Sequence, residues 1–280
     1  MTRRQALAHA GELLARHKIE DASLEAELLL RYILKLDRAA LFTEPNRLLT
    51  KRQEENYRQL IERRIQGEPS AYITGHREFF GLDFSVDKNV LIPRPETELL
   101  VEQAITRAGN YLHPVIVDVG TGCGAIAVSL AVHLPQAKIY AIDISPTALQ
   151  VARRNSRKHN VKDKITFLIG NLLEPLPAPM DIIVANLPYV LSADVPKVNT
   201  SGFEPMLALD GGVDGLDVIK RLILEAKGKL KPDGCLLLEI GMGQSQTIAD
   251  FLANIYPTAK IEIFPDLSGI KRVVCAALVK

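Results

Sequence analysis

The sequence predicts an α/β fold, a parallel sheet covered by helices on both faces, preceded by a small helical domain. Three observations carry this. From Val115 onward, short apolar runs alternate with helical-looking segments. Each run is continuously apolar, as strands buried on both faces are. A glycine-rich loop follows the first run, while residues up to about Ser70 show only helical patterns.

Composition sets the frame. The chain has 280 residues, with 34 Lys plus Arg against 33 Asp plus Glu, a formal net charge of +1. At roughly 150 residues per domain, that length suggests about two domains. With 47% hydrophobic and 24% charged residues, the chain matches soluble globular proteins and not disordered ones. A balanced charge argues against a general basic coat for nucleic acid. No apolar run approaches the ~18 residues needed to cross a bilayer. The first twenty residues carry charges throughout and do not read as a secretion signal. Cys123, Cys235 and Cys275 are far apart and odd in number, which suits reduced thiols in a cytoplasm.

The elements follow in order. Thr2 and Gln5 have capping-box spacing and open a first helix carrying Leu7, Leu13 and Leu14. Ser23 to Leu36 is strongly apolar without Gly or Pro, so a buried helix is expected. Thr50 and Gln53 repeat the capping-box spacing. Tyr57, Leu60, Ile61 and Ile65 then recur at helical spacing until Gly67 and Pro69. Next come aromatic and β-branched residues around Gly75 and Gly81, the pattern of a β-hairpin. Pro95, Glu96 and Glu98 open another helix, acids in its first turn. The expected strands are 115–119, 138–143, 164–169, 181–186, 235–240, 260–264 and 272–279. Domains are therefore expected over 1–70 (helical), 71–92 (hairpin linker) and 93–280 (sheet).

Two motifs carry chemistry. Asp118-Val-Gly-Thr-Gly-Cys-Gly124 leaves the first strand and opens a helix. Glycines let the backbone approach a ligand, and helix-start amides receive polar groups. Asp143 ends the next strand, about 20 residues on, where a carboxylate can accept both ribose hydroxyls of an adenosine-type cofactor. The pattern is not G-x-G-x-x-G, and it has an acid in its lead-in. An acid repels a pyrophosphate but suits a cationic sulfonium, which favours S-adenosylmethionine over NAD. Cys123 has no base beside it and is read as a small filler whose backbone matters.

Asn186-Leu187-Pro188-Tyr189 follows the fourth strand, and ligands in open α/β sheets lie beyond the carboxyl ends of strands. The tetrapeptide suits methylation of a planar nitrogen whose lone pair is delocalised. The Asn186 side-chain oxygen and the Leu187 carbonyl can each accept one N–H. Pro188 stiffens the turn, and Tyr189 offers a ring to a flat group. No strong base is required, so catalysis comes from positioning and electrostatics.

At these residues the chain resembles the release-factor glutamine N5-methyltransferases, the PrmC/HemK family. The likeness runs through 67–102, 118–131, 141–145, 184–190, 203–219 and 238–244. The segments IPRPETE and FEPMLALDGGVDGLD discriminate most, because other amino-nitrogen methyltransferases share only the Asn-Pro-type element. The resemblance implies a class I S-adenosylmethionine-dependent methyltransferase domain, a Rossmann-like seven-stranded sheet, with an N-terminal helical bundle and a connecting β-hairpin. It implies methyl transfer from S-adenosyl-L-methionine to the glutamine of the Gly-Gly-Gln motif in bacterial peptide chain release factors.

Site residues follow from the same resemblance. Gly120, Thr121, Gly122, Cys123 and Gly124 would line the cofactor, with Asp143 on the ribose and Asn171 beside the adenine. Asn186, Leu187, Pro188 and Tyr189 would hold the substrate amide, Asn186 also touching the cofactor. Three departures are present: Leu187 replaces a proline, Asn171 stands where most members have an acid, and 197–205 differs before Phe-Glu-Pro. None removes an acceptor, so activity is expected.

Other residues read as follows. Arg94, Glu96 and Thr97 fit either the methionine end of the cofactor or helix initiation. Asp210, Asp214 and Asp217 lie among glycines, too sparse for a metal loop, and read as a turn into a helix. Glu204 and Pro205 fit either lid support or a plain cap. Arg153, Arg154, Arg157, Lys158 and His159 read as a solvated helix face before an anion-binding one. The six histidines show no two-His spacing on a shared helix, so no metal is assigned. The expected protein is a cytoplasmic monomer without membrane or nucleic-acid partners. The alternative is an amino-group methyltransferase acting on adenine N6 or guanine N2. A non-catalytic adaptor that kept the fold but lost turnover and a dehydrogenase are the further rivals, the dehydrogenase the weakest.

Overall fold

The computed structural model describes residues 1–199 and 202–278. Thr200 and Ser201 of the divergent stretch, and Val279 of the last expected strand, lie outside them. The chain divides into two compact units, Met1–His76 and a second beginning at Arg77.

The first unit is helical: α1 (Arg3–Arg16), α2 (Ala22–Leu34), α3 (Arg38–Thr43), α4 (Lys51–Ile65) and α5 (Ser70–Thr74). Both expected capping boxes form. Thr2 Oγ1 accepts from the Gln5 amide at 3.2 Å while Gln5 Oε1 accepts from the Thr2 amide at 2.8 Å. Thr50 and Gln53 repeat this at 3.2 and 2.9 Å. Each box satisfies two amides that have no partner inside the helix. Leu14, Leu29, Leu30, Leu41 and Ile61 fill the core, and the buried Tyr57 hydroxyl donates to the Ala26 carbonyl at 2.8 Å. Two elements differ from the expectation. Asp37 caps α3 through the Ala40 amide at 2.7 Å, a helix too short for the apolar period to reveal. Ser70–Thr74, expected in the hairpin, is one helical turn ended by Gly75 at φ +76°.

From Arg77 the second unit opens with a hairpin whose first strand begins one residue earlier, β1 (His76–Phe79) and β2 (Leu82–Ser85). It is less a free linker than the sequence suggests, since Phe84 is fully buried and Ser85 is bonded to Asn155 in the sheet domain. A 3-10 turn, Pro95–Thr97, leads into α6 (Glu98–Ala108). Then come β3 (Val115–Val119), α7 (Ala125–His133), β4 (Lys138–Asp143), α8 (Pro146–Lys158), β5 (Ile165–Ile169) and β6 (Met180–Ala185). They are followed by α9 (Val195–Val198), α10 (Asp217–Ala226), β7 (Leu230–Glu239), α11 (Ser245–Ile255), β8 (Lys260–Pro265) and β9 (Lys271–Ala277).

The seven strands of the main sheet lie in the order β5-β4-β3-β6-β7-β9-β8. Pairings from β5 across to β7 are parallel, but β9 runs antiparallel to both β7 and β8. That corrects the expectation of a wholly parallel sheet. Residues 266–270 are too few for a crossover, and strands joined so tightly can only pair antiparallel. The chain winds outward from β3 to β5, then returns to β6 on the other side of β3. The crevice for a ligand opens at that reversal, beyond the carboxyl ends of β3 and β6.

Candidate active site

The glycine loop leaves β3 with Gly120, Gly122 and Gly124 at φ +73°, +56° and +83°. The Gly120 and Thr121 amides both donate to the Ile142 carbonyl at 2.9 Å, tying the loop to β4. A Cβ on Gly124 would stand 3.1 Å from Ala152 Cβ, whereas one on Gly122 would meet nothing within 4 Å. Gly124 is glycine for close packing on α8, and Gly122 faces open space.

Asp118 does not face that space. It is wholly buried, and its Oδ2 accepts from Thr121 Oγ1 at 2.6 Å and from the Ala127 amide at 3.1 Å. Burial pushes its carboxyl up to about 7, against the pull of those two donors. The lead-in acid therefore braces the loop onto α7 instead of meeting a cationic ligand group directly. Cys123 is buried too, its thiol raised to about 12 by burial, and its carbonyl accepts from Asn155 Nδ2 at 2.8 Å.

Asp143 is half-buried at the end of β4. Its Oδ2 accepts from the Gly122 amide and its Oδ1 from the Ser145 amide, each at 2.8 Å. Burial raises its pKa against those bonds. A carboxylate has about four acceptor sites, so each oxygen retains one for a pair of vicinal hydroxyls. The loop 118–124 contains no Lys or Arg to meet a pyrophosphate. Donor set and open space thus fit an adenosine carrying no phosphate. Asn171 follows Gly170, whose amide donates to the Asp143 carbonyl at 3.1 Å. Its side chain lines a recess of about 350 Å³ with Leu173, Glu174, Glu225 and Lys229.

Asn186-Leu187-Pro188-Tyr189 leaves β6 next to this loop. Leu187 is buried, with Cδ2 3.0 Å from where a Cβ on Gly120 would stand. Asn186 Nδ2 donates to Thr97 Oγ1 at 2.9 Å. The Tyr189 hydroxyl donates to Glu239 Oε1 at 3.3 Å, and its carbonyl accepts from Gln244 Nε2 at 3.0 Å. Glycines from two later segments close on the turn. A Cβ on Gly211 would stand 2.7 Å from the Pro188 carbonyl oxygen, and one on Gly215 2.5 Å from that of Tyr189. Such approaches leave no room for any side chain.

The resemblance rests partly on these segments, and here they pack against the tetrapeptide. Glu204 of the Phe-Glu-Pro element is neither free nor a cap. It binds Arg94 Nη2 at 2.5 Å and the Ile92 amide at 3.2 Å, joining the IPRPETE segment to the loop after α9.

Comparison with known proteins decides the family. The release factor glutamine methyltransferase of Moorella thermoacetica is 43% identical to the chain, covering 97% of each. That of Koribacter versatilis is 41% identical over 98% of each. The chain belongs to the release factor glutamine methyltransferase family. The family model for the PrmC N-terminal domain matches residues 5–75, and a methyltransferase-domain model matches 113–254. Among solved structures, the hMettl16 catalytic domain superposes with a TM-score of 0.58 at 18% identity, covering 75% of this chain and 81% of that one. It shares the fold.

In this family member several residues escaped the sequence reading. Glu239 and Gln244 lie in the family-like segment 238–244, but nothing in that segment points to Tyr189; only the fold joins them. Asn155 lay inside what reads as a basic, solvated helix. Arg154 and Arg157 of that face are exposed, as expected, while its end meets the hairpin: Lys158 pairs with Asp83 at 2.5 Å, and His159 Nε2 lies 2.9 Å from the Asp83 carbonyl. Asp210 accepts from Ser192 Oγ at 2.6 Å and the Gly212 amide at 3.0 Å. Asp214 accepts from the Leu216 amide at 2.9 Å, so both acids serve turns.

Proposed function

We propose that this chain methylates the side-chain amide nitrogen of the glutamine in the Gly-Gly-Gln motif of bacterial peptide chain release factors, using S-adenosylmethionine. One observation carries the reading above the fold: Asn186 and its turn stand against the cofactor-type glycine loop, Leu187 lying over Gly120. Membership of the family supports the same acceptor. No helix among the described residues is long and apolar enough to cross a membrane. The reading includes a cytoplasmic monomer that acts in translation termination and has no nucleic-acid partner.

When bound, S-adenosylmethionine supplies a methyl group on a positively charged sulfur. Gly120, Thr121, Gly122, Cys123 and Gly124 would line it, Asp143 would accept from its ribose hydroxyls, and Asn171 would stand near its adenine. The Asn186 Oδ1 and the Leu187 carbonyl would each accept one N–H of the substrate amide. Holding both hydrogens fixes the plane of the amide and so the direction of its weak lone pair. Tyr189 would cover one face of that plane. Such preorganised acceptors act without rearranging during the reaction. Residues 1–70 would recognise the protein substrate and 93–280 would carry the chemistry, with 71–92 between them.

Purified protein, S-adenosylmethionine and an unmethylated release factor test this together. Peptide mass spectrometry should find one added methyl on the Gly-Gly-Gln glutamine, and none on a Gln→Ala substrate. Transfer to RNA or DNA in parallel tubes, with none to the release factor, would overturn the acceptor while retaining the cofactor.

A further inference from the structure

Gln244 immediately precedes α11, and its side-chain amide stands where three segments meet. Its Oε1 accepts from the Gly241 amide at 2.8 Å. Its Nε2 donates to the Tyr189 carbonyl at 3.0 Å and to the Gly215 carbonyl at 3.5 Å. One side chain thus joins the Asn-Leu-Pro-Tyr turn to segment 211–215 and to the loop after β7. The fit is close. A Cβ on Gly215 would stand 2.9 Å from Nε2, and one on Gly241 3.0 Å from Oε1 and 3.1 Å from Tyr189 Cδ2.

Those neighbours decide which way the amide faces. Oε1 can only accept, and Nε2 carries two hydrogens. Turned over, the amide would set its oxygen against two carbonyl oxygens and its NH₂ against an N–H. One orientation alone satisfies all three groups.

The turn depends on such a hold. Residues 186–189 belong to no helix or strand, and Pro188 has no N–H to give. Val190, next in the chain, donates to the Leu209 carbonyl at 3.0 Å and accepts from the Gly211 amide at 2.8 Å. Among the described residues the Leu187 carbonyl has no hydrogen-bond partner. It lies between two anchors, the Leu187 side chain buried at Gly120 and the Tyr189 carbonyl held by Gln244. Pro188 between them has a locked φ, so movement at Tyr189 passes to the Leu187 peptide instead of being absorbed.

We propose that Gln244 is a positioning residue: by holding the Tyr189 carbonyl it fixes the turn so that the Leu187 carbonyl stays presented to an N–H of the substrate amide. This rests on the reading of the Leu187 carbonyl as an acceptor for that amide.

The full-length chain is compared with Gln244→Met, Gln244→Glu and Gln246→Met in methyl transfer to a release factor. Methionine keeps the length of glutamine but cannot donate to a carbonyl. The main-chain bonds of Gln244 and Val190, and the Ile142 hold on the glycine loop, stay in place. Gln244→Met should lower kcat on the order of 10- to 100-fold, with S-adenosylmethionine Kd within about threefold. Gln246 is exposed and bonds to Asp250 at 2.8 Å on the same helix. Gln246→Met should stay within about twofold of wild type in both.

Gln244→Glu supplies a readout that packing alone would not move. A carboxylate cannot donate to the Tyr189 carbonyl, while the protonated acid can. The facing carbonyls also disfavour the charged form and raise its pKa. The kcat of Gln244→Glu relative to wild type should therefore rise about threefold or more between about pH 8 and about pH 5.5.

No methyl transfer by wild type overturns the functional reading and this proposal with it. With wild type active, an unchanged kcat in Gln244→Met overturns the proposal alone, and an equal loss in Gln246→Met does the same. If Gln244→Met does not fold, Gln244→Glu decides: a ratio that stays level with pH overturns the proposal.

Discussion

Leu187 Cδ2 lies 3.0 Å from the point where a Cβ on Gly120 would stand, so the turn at 186–189 rests directly on the glycine loop. Gly120 also sits at φ +73°. Gly120→Ala therefore meets two separate costs, a left-handed backbone and a crowded side chain. Together these should lower unfolding free energy on the order of 2–4 kcal/mol. Adding Leu187→Ala should recover the steric part but not the backbone part. Urea unfolding of the double-mutant cycle reads this as a coupling of roughly 0.5–3 kcal/mol. Strict additivity would show that the two motifs do not bear on each other.

Asn155 couples the hairpin to the same loop. Its Nδ2 donates to the Ser85 and Cys123 carbonyls at 2.9 and 2.8 Å, and its Oδ1 accepts from the Ser85 amide at 2.8 Å. The side chain is fully buried. Asn155→Leu keeps the branched shape but leaves three backbone groups without partners. A loss of about 2–5 kcal/mol is expected in urea unfolding, with weaker S-adenosylmethionine binding because Cys123 loses its anchor. A change under about 1 kcal/mol would mean that those groups find other partners.

Much of this was legible because local rules act over a few residues. The capping boxes at Thr2 and Thr50, the strand after each turn, and the positive-φ glycines need only nearby neighbours. Asp143 and Asn186 could be placed at one edge of the sheet because the strand ends gather there. What was not legible depended on distant pairing. Nothing near Glu239 in sequence indicates Tyr189, and nothing near Asn155 indicates Ser85. Asp118 shows the converse: the residue was found, but its partners, Thr121 and Ala127, lie toward the interior. The antiparallel β9 was missed because a buried strand looks the same in either direction.

Stability should depend on pH through Asp118. Its carboxyl rises from 3.8 unfolded to about 7 folded. The folded state thus holds a proton that the unfolded state has released across that window. The stabilisation linked to that proton is complete below 3.8 and is lost as pH rises toward about 7, where the curve levels. Asp118→Asn cannot ionise, so its side chain contributes no such slope. Unfolding free energies of the two proteins, measured from pH 4 to 8, should move in the variant's favour by about 1.4 kcal/mol per pH unit within the window. A difference constant with pH would place the Asp118 carboxyl at an ordinary value and sink the prediction.

Asn186→Ala separates binding from turnover. The side chain makes one bond within the protein, Nδ2 to Thr97, and the remaining oxygen is what the proposed function uses. The glycine loop is held by other groups, Ile142 and Asp143, whose bonds the substitution leaves in place. S-adenosylmethionine affinity by calorimetry should therefore change by less than about threefold. Turnover on the release factor should fall on the order of 10²-fold or more, as when a preorganised polar group is removed from a reacting centre. Asn186→Asp is the sharper comparison. It keeps an oxygen toward the substrate but has no hydrogen for Thr97. Turnover should fall there as well, although an acceptor is still present. Equal turnover in wild type and Asn186→Ala would remove Asn186 from the reaction; full activity in Asn186→Asp would show that an oxygen alone suffices and that its orientation is not set through Thr97.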